Sequence, residues 1–158
     1  MMRVAYVCAD PGVPVFGRKG CSVHVQEVIR SLLDHGASIE LFATRLGGDP
    51  PPGLDAVPIH QLPQVPKGQA AVRERLALSA NHGLRTALTN TRAFDLIYGR
   101  HSLWSFAGME YAGEYGIPGL LETISKGLLK PIFLIVDLHK ESQDGETPRQ
   151  DADNLERG

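Results

Sequence analysis

The stretch PGVPVFGRKGCSVHVQE places Gly12, Gly17 and Gly20 in one loop, with Arg18 and Lys19 side by side and a helix-like pattern beginning near Ser22. Glycines let a backbone approach a ligand closely. The first amides of a helix lack intrahelical acceptors and carry a partial positive charge. Two cations beside such amides suit an anion, best of all a phosphate or diphosphate. The competing reading is a surface loop with two solvated cations.

Two familiar phosphate motifs do not fit. Gly12 and Gly17 have the glycine spacing of a P-loop, but Arg18 stands where its lysine belongs and Gly20 follows Lys19, so no hydroxyl is placed for magnesium. Of the dinucleotide fingerprint G-x-G-x-x-G only a final G-x-x-G is present.

The surrounding pattern supplies a scaffold. RVAYVC (Arg3–Cys8) reads as a buried parallel strand. Ser22 is the expected cap of a helix whose apolar stripe is Val25, Val28, Ile29 and Leu32, stopped by His35-Gly36. SIELFAT (Ser38–Thr44) is a second strand. Residues 45–67 hold six of the eleven prolines and form a long connection, with a short edge strand expected at DAVPIH. A helix over 69–90 aligns Val72, Leu76, Ala80, Leu84 and Leu88, with Gly83 its weak point. AFDLIYG (Ala93–Gly99) is another buried strand. The helix after it is expected to be capped by Ser102 and closed by Gly116. GLLET (Gly119–Thr123) is a strand, and PIFLIV offers one more. The order β-α-β-(β)-α-β-α-β-β predicts an α/β fold, a doubly wound and mostly parallel Rossmann-like sheet, whose ligands bind at the carboxyl ends of the strands. One such domain is expected over 1–140, with 141–158 a disordered polar tail, since those eighteen residues hold one leucine and no other large apolar side chain.

Composition narrows the function classes. At 158 residues the chain suits one domain. A net charge of −2 argues against a dedicated nucleic-acid binder. Cys8 and Cys21 make neither a disulfide framework nor a zinc pattern, and the six histidines are scattered, so no metal is expected. There is no secretion-signal pattern and no apolar stretch approaching the ~20 residues of a membrane span, which predicts a reducing, cytoplasmic setting. A receiver domain would cluster acids after the first strand, where only Asp10 stands, and no G-x-S-x-G elbow is present.

The stretches PVFGRKGCSVHVQEVIRSLLDHGASIELFAT and FDLIYGRHSLWSFAGMEYAGEYGIPGLLE, in this order, resemble the N-terminal domain of glycosyltransferase family 4 enzymes of the GT-B fold. The resemblance runs over residues 2–122 and rests on Gly17, Lys19, Gly20, Ser22, His24, Val25 and Glu27. It implies a retaining transfer of a sugar from a nucleotide-sugar substrate to a sugar or lipid acceptor, without a resident cofactor or metal. Leaving-group charge would be met by a helix N-terminus and cations. It places Gly17, Arg18, Lys19, Gly20 and Ser22 toward the donor phosphates. His24, which looks toward the cleft, and Arg100, His101 and Glu122, at strand ends, become acceptor or substrate contacts. Simpler alternatives are an exposed helix-start histidine for His24 and a salt-bridged carboxylate for Glu122. The resemblance stops near Glu122. The family's second domain, with its E-x7-E glutamates, has no counterpart here, so the chain is expected to be truncated, inactive alone, and paired with a separate donor-domain chain or with itself. A non-catalytic sugar- or phosphate-binding module, or a remnant, is the alternative.

Overall fold

The structure, a computed structural model, describes residues 1–124 and 131–136; the expected tail over 141–158 lies outside them. The elements are β1 (Arg3–Cys8), α1 (Gly20–Asp34), β2 (Ser38–Ala43), β3 (Ile59–Gln61), α2 (Ala70–Thr89), β4 (Leu96–Arg100), α3 (Ala107–Tyr115), β5 (Gly119–Ile124) and β6 (Pro131–Val136). The sheet order is β3-β2-β1-β4-β5-β6. The first five strands run parallel and β6 returns antiparallel along β5. This is an α/β Rossmann-like fold. Its strand order reverses between β1 and β4, so the loops after these two strands diverge and leave a crevice between them.

Strand alternation divides the core between two faces. Val4, Tyr6 and Cys8 turn toward α1 and pack with Val25, Ile29, Leu41 and Tyr98. Ala5 and Val7 turn the other way, to Phe42, Leu84, Leu88, Ile97 and Tyr111 under α2 and α3. α1 ends as its pattern predicts. Gly36 takes φ +84°, a left-handed conformation that costs glycine little, and its N–H donates to Leu33 O at 2.9 Å. Gly116 closes α3 in the same way at φ +65°.

Three local expectations are corrected. Ser22 does not cap α1: the helix starts at Gly20 with Lys19 in the cap position, and Ser22 sits inside the first turn with its side chain fully buried. Ser102 does not cap α3, which starts five residues later after Phe106. The stripe on α2 is buried only in its second half. Leu84 and Leu88 are covered, whereas Val72 and Leu76 are exposed, because helical periodicity selects a face without ensuring that anything stands opposite it. The edge strand near DAVPIH forms a little later, at Ile59–Gln61.

Candidate functional site

The loop leaving β1 is strapped down before it reaches α1. Asp10 Oδ1 accepts the Gly12 N–H at 2.8 Å, closing a tight turn. Val15 N and Phe16 N donate to Arg45 O and Leu46 O at 3.1 and 2.7 Å. Gln26, buried on α1, donates from Nε2 to Val15 O at 2.8 Å and to Gly17 O at 3.1 Å. A glycine is required at 17, since a Cβ there would sit 2.9 Å from Pro14 Cγ and 3.0 Å from Ser22 Oγ. Gly20 differs: nothing within 4 Å would meet a Cβ. Gly20, Arg18 and Lys19 are exposed. Ser22 N and Val23 N both donate to Lys19 O at 2.9 Å. The Gly20 and Cys21 amides begin the helix and have no acceptor within it, as for the first amides of any α-helix.

Behind this loop, on the α1 side of the sheet, lies a buried polar cluster. Tyr6 and Tyr98 are register partners on β1 and β4, with stacked rings 5.0 Å apart. Arg100 and Glu122 are register partners on β4 and β5, so their side chains share that face. His24 Nε2 pairs with the Glu122 carboxylate; the histidine is a third exposed and the glutamate wholly buried. Burial, then the Glu122 charge, push the Tyr6 hydroxyl well up in pKa, and Tyr98 is pushed up by burial, the Glu122 charge and a hydrogen bond to Glu122. Cys8 lies beneath and burial lifts its thiol to about 12.

Among the described residues four buried side-chain atoms lack a hydrogen-bond partner: Tyr6 Oη, Ser22 Oγ, Arg100 Nη1 and Glu122 Oε2. All four belong to the α1 side at the carboxyl ends of the strands or the helix start above them. Leaving such atoms unpaired costs about 1–3 kcal/mol each, so an array of them is a place for water or for a hydroxylated ligand. Together they are a cationic donor, a carboxylate acceptor and two hydroxyls that do both, all four sealed from solvent.

The four residues expected on the substrate side do not all meet. His24, Arg100 and Glu122 come together, whereas His101 is exposed and lines a groove on the opposite side of the sheet. Its N–H donates to Glu122 O at 2.7 Å, so the backbone continues the β4–β5 ladder while the ring turns away.

That groove, of about 990 Å³, lies between α2 and the loop before α3. Asn81 organises it. The side chain, 7% exposed, donates from Nδ2 to Leu78 O at 3.0 Å and to Trp104 O at 2.7 Å. Its Oδ1 accepts from Phe106 N at 2.9 Å and Ala107 N at 3.0 Å. Asn81 thus supplies from another helix the cap that Ser102 was expected to give α3. It also pins Trp104, the sole non-glycine among the described residues with positive φ, +69°. Neither residue stands out in the sequence: an asparagine inside a helical pattern looks like a solvated polar position.

Among the described residues no three His, Cys, Asp or Glu side chains are grouped to hold a metal ion, and no helix is long and apolar enough to cross a membrane.

No family model matches the chain and no curated protein matches it. Among solved structures it is similar to the C-terminal domain of a hydrogenase from Pyrococcus furiosus, at 15% identity and a TM-score of 0.50 over 76% of this chain and 90% of that one. It is also similar to MurG from Acinetobacter baumannii, at 20% identity and a TM-score of 0.49 over 78% of this chain. The chain spans only 35% of the MurG chain. At such identities the hydrogenase likeness speaks to the fold, a Rossmann-like α/β sheet, and to nothing finer.

Proposed function

We propose that this chain is the acceptor-side domain of a retaining glycosyltransferase. It works on a nucleotide-sugar, with the donor half supplied by a second Rossmann-like domain. The observation that carries the reading is the set of unpaired buried polar atoms on Tyr6, Ser22, Arg100 and Glu122 behind an open glycine loop at the strand ends. In this reading the Gly17–Ser22 loop, with Arg18 and Lys19, receives the donor diphosphate as charge builds on it, and the first α1 amides share that charge. His24, Arg100 and Glu122 hold sugar hydroxyls. Cys8 and Cys21 are both free thiols, in keeping with a reducing, cytoplasmic setting.

Gly20 gives the sharpest test, because the protein itself has no steric need for a glycine there. UDP-glucose and GDP-mannose are titrated separately into the labelled chain, followed by amide NMR. Saturable shifts are expected over residues 17–24 with one of the two. Gly20→Ala should leave the fold unchanged and weaken binding by at least about tenfold, because the added methyl blocks the close approach of the diphosphate. Neither carrier shifting those amides would overturn the reading. Sugar transfer by the chain alone would overturn the claim that half the site lies elsewhere. Binding that never leads to transfer, even with a donor domain supplied, would make the chain a sugar-phosphate binding module.

A further inference from the structure

We infer that the groove on the α2 side of the sheet binds an alcohol with an apolar body. Its role as the sugar acceptor rests on the proposed sugar-transfer reading; the binding itself does not.

The floor of the groove is made by the first residues beyond four successive strand ends: Ala9 and Asp10 after β1, Thr44 after β2, Leu62 after β3 and His101 after β4. This is the crevice at the strand-order reversal, where open α/β sheets bind ligands. Its volume, about 990 Å³, lies at the upper end of small-molecule sites. The walls are apolar, from Pro63, Val65, Ala77, Ala80, Leu84 and Trp104.

The polar groups on the floor limit the ligand's chemistry. Asp10 Oδ1 is taken by Gly12 N, and the Thr44 hydroxyl donates to Ala9 O. The His101 ring and the Ser102 hydroxyl make no hydrogen bond among the described residues. Asp10 Oδ2, the His101 ring and the Ser102 and Ser105 hydroxyls are the polar atoms left for a ligand, a small set against the apolar walls. At the outer rim Lys67 and Arg73 stand with Glu74, so the charges are of both signs and no anionic head is favoured by a lone cationic wall. Trp104 adds a second sign of a ligand. It is 41% exposed at the rim, and its left-handed backbone costs free energy that three neighbouring Asn81 hydrogen bonds sustain.

The ligand therefore lays its apolar body along α2 and puts its hydroxyl at the strand ends. If the chain serves sugar transfer, that oxygen forms the new bond to the sugar carbon. The bond from that carbon to the diphosphate oxygen breaks, and the diphosphate leaves with the electron pair and takes the alcohol's proton.

Trp104 is the only tryptophan in the chain, so its emission reports on the groove directly. The intact chain is titrated with geraniol, with sodium octanoate and methyl β-glucoside as comparison probes. Geraniol should give a saturable blue shift below about millimolar concentration. Ala77→Phe, which fills the groove, should weaken it at least about tenfold; Ala70→Phe, at the other end of the wall, serves if the first variant does not fold by circular dichroism. Leu78→Phe, exposed on the same helix outside the groove, should change nothing. An absent or unsaturable shift, equal weakening by Leu78→Phe, or tighter binding of octanoate or the glucoside would overturn the inference. None of these outcomes depends on nucleotide-sugar binding at Gly20, so either site can fail while the other stands.

Discussion

Replacing Asn81 tests the architecture beneath the groove. The residue uses all of its side-chain capacity, two N–H donors and two acceptor sites, in four hydrogen bonds of 2.7–3.0 Å. Asn81→Leu keeps the number and branching of the side-chain heavy atoms and removes every one of these hydrogen bonds. The Ala107 N–H is then buried without an acceptor, which costs about 1–3 kcal/mol. The Phe106 N–H belongs to an exposed residue and can turn partly to water, so its loss resembles that of a helix cap, about 1 kcal/mol. The Trp104 carbonyl loses its donor as well, and relaxation of the loop offsets part of that. The expected total is about 3 kcal/mol, a large share of the ~5–15 kcal/mol by which domains are usually stable. Asn81→Asp separates the two halves of the residue. It keeps an acceptor for Phe106 N and Ala107 N and puts a negative charge at the start of α3, where it gains about 0.3–1 kcal/mol. It loses the donor to Leu78 O and Trp104 O. A carboxylate at a site 7% exposed is also desolvated and sets an oxygen against the Leu78 and Trp104 carbonyls, so its net cost should match or exceed that of leucine. Urea unfolding followed by far-ultraviolet circular dichroism measures both. If Asn81→Leu lies within about 0.5 kcal/mol of the parent, then the α3 start is held by something other than this side chain.

Two further outcomes follow from the polar cluster. The Cys8 thiol rises from an ordinary value near 9 to about 12 through burial, so the folded state holds its proton more tightly than the unfolded chain; its contribution is complete below pH 9 and lost as pH climbs to 12, and Tyr6 and Tyr98 act in the same sense. Unfolding midpoints should therefore fall steadily above pH 9, and at pH 8 a thiol reagent should modify half-buried Cys21 in the native chain but Cys8 only on unfolding; a flat profile or two equally fast thiols would contradict the burial. Glu122→Gln removes the buried partner of His24 and leaves the Arg100 guanidinium beside a neutral amide, so chemical denaturation should find the variant less stable by about 3 kcal/mol, with nucleotide-sugar binding weakened. A variant as stable as the parent would mean that Glu122 is no counter-ion for His24 and Arg100.

The fold could be read from the chain because each signal for it is local. Alternation in Arg3–Cys8, the stripe Val25–Leu32, and the glycines that close α1 and α3 act within a few residues of where they appear. The element order followed from them, including the strand in PIFLIV. The candidate site was legible only where its residues stand at strand ends on one face. His24, Arg100 and Glu122 meet because a parallel register puts positions 100 and 122 side by side. What was missed depends on partners far along the chain. Asn81 caps a helix 25 and 26 residues away, and Val72 and Leu76 lie exposed on the first half of α2, away from the groove lining. The glycines also resist sorting by sequence. Gly12, Gly17 and Gly20 look alike in the loop, yet one closes a turn, one avoids Pro14 and Ser22, and one faces open space.

The two sides of this sheet edge are held by one piece of backbone. β4 ends in Arg100, which faces the polar cluster, and the next residue, His101, faces the groove. The loop between them and α3 has little freedom: His101 N is tied to Glu122 O at 2.7 Å, and Trp104 O is tied to Asn81 at 2.7 Å. A ligand hydroxyl placed at His101 would therefore be fixed relative to the Arg100–Glu122 pair by a rigid ladder instead of a flexible loop. Positioning of this kind is what a transfer between two ligands demands, since a misplacement of about 1 Å can cost about a hundredfold in rate.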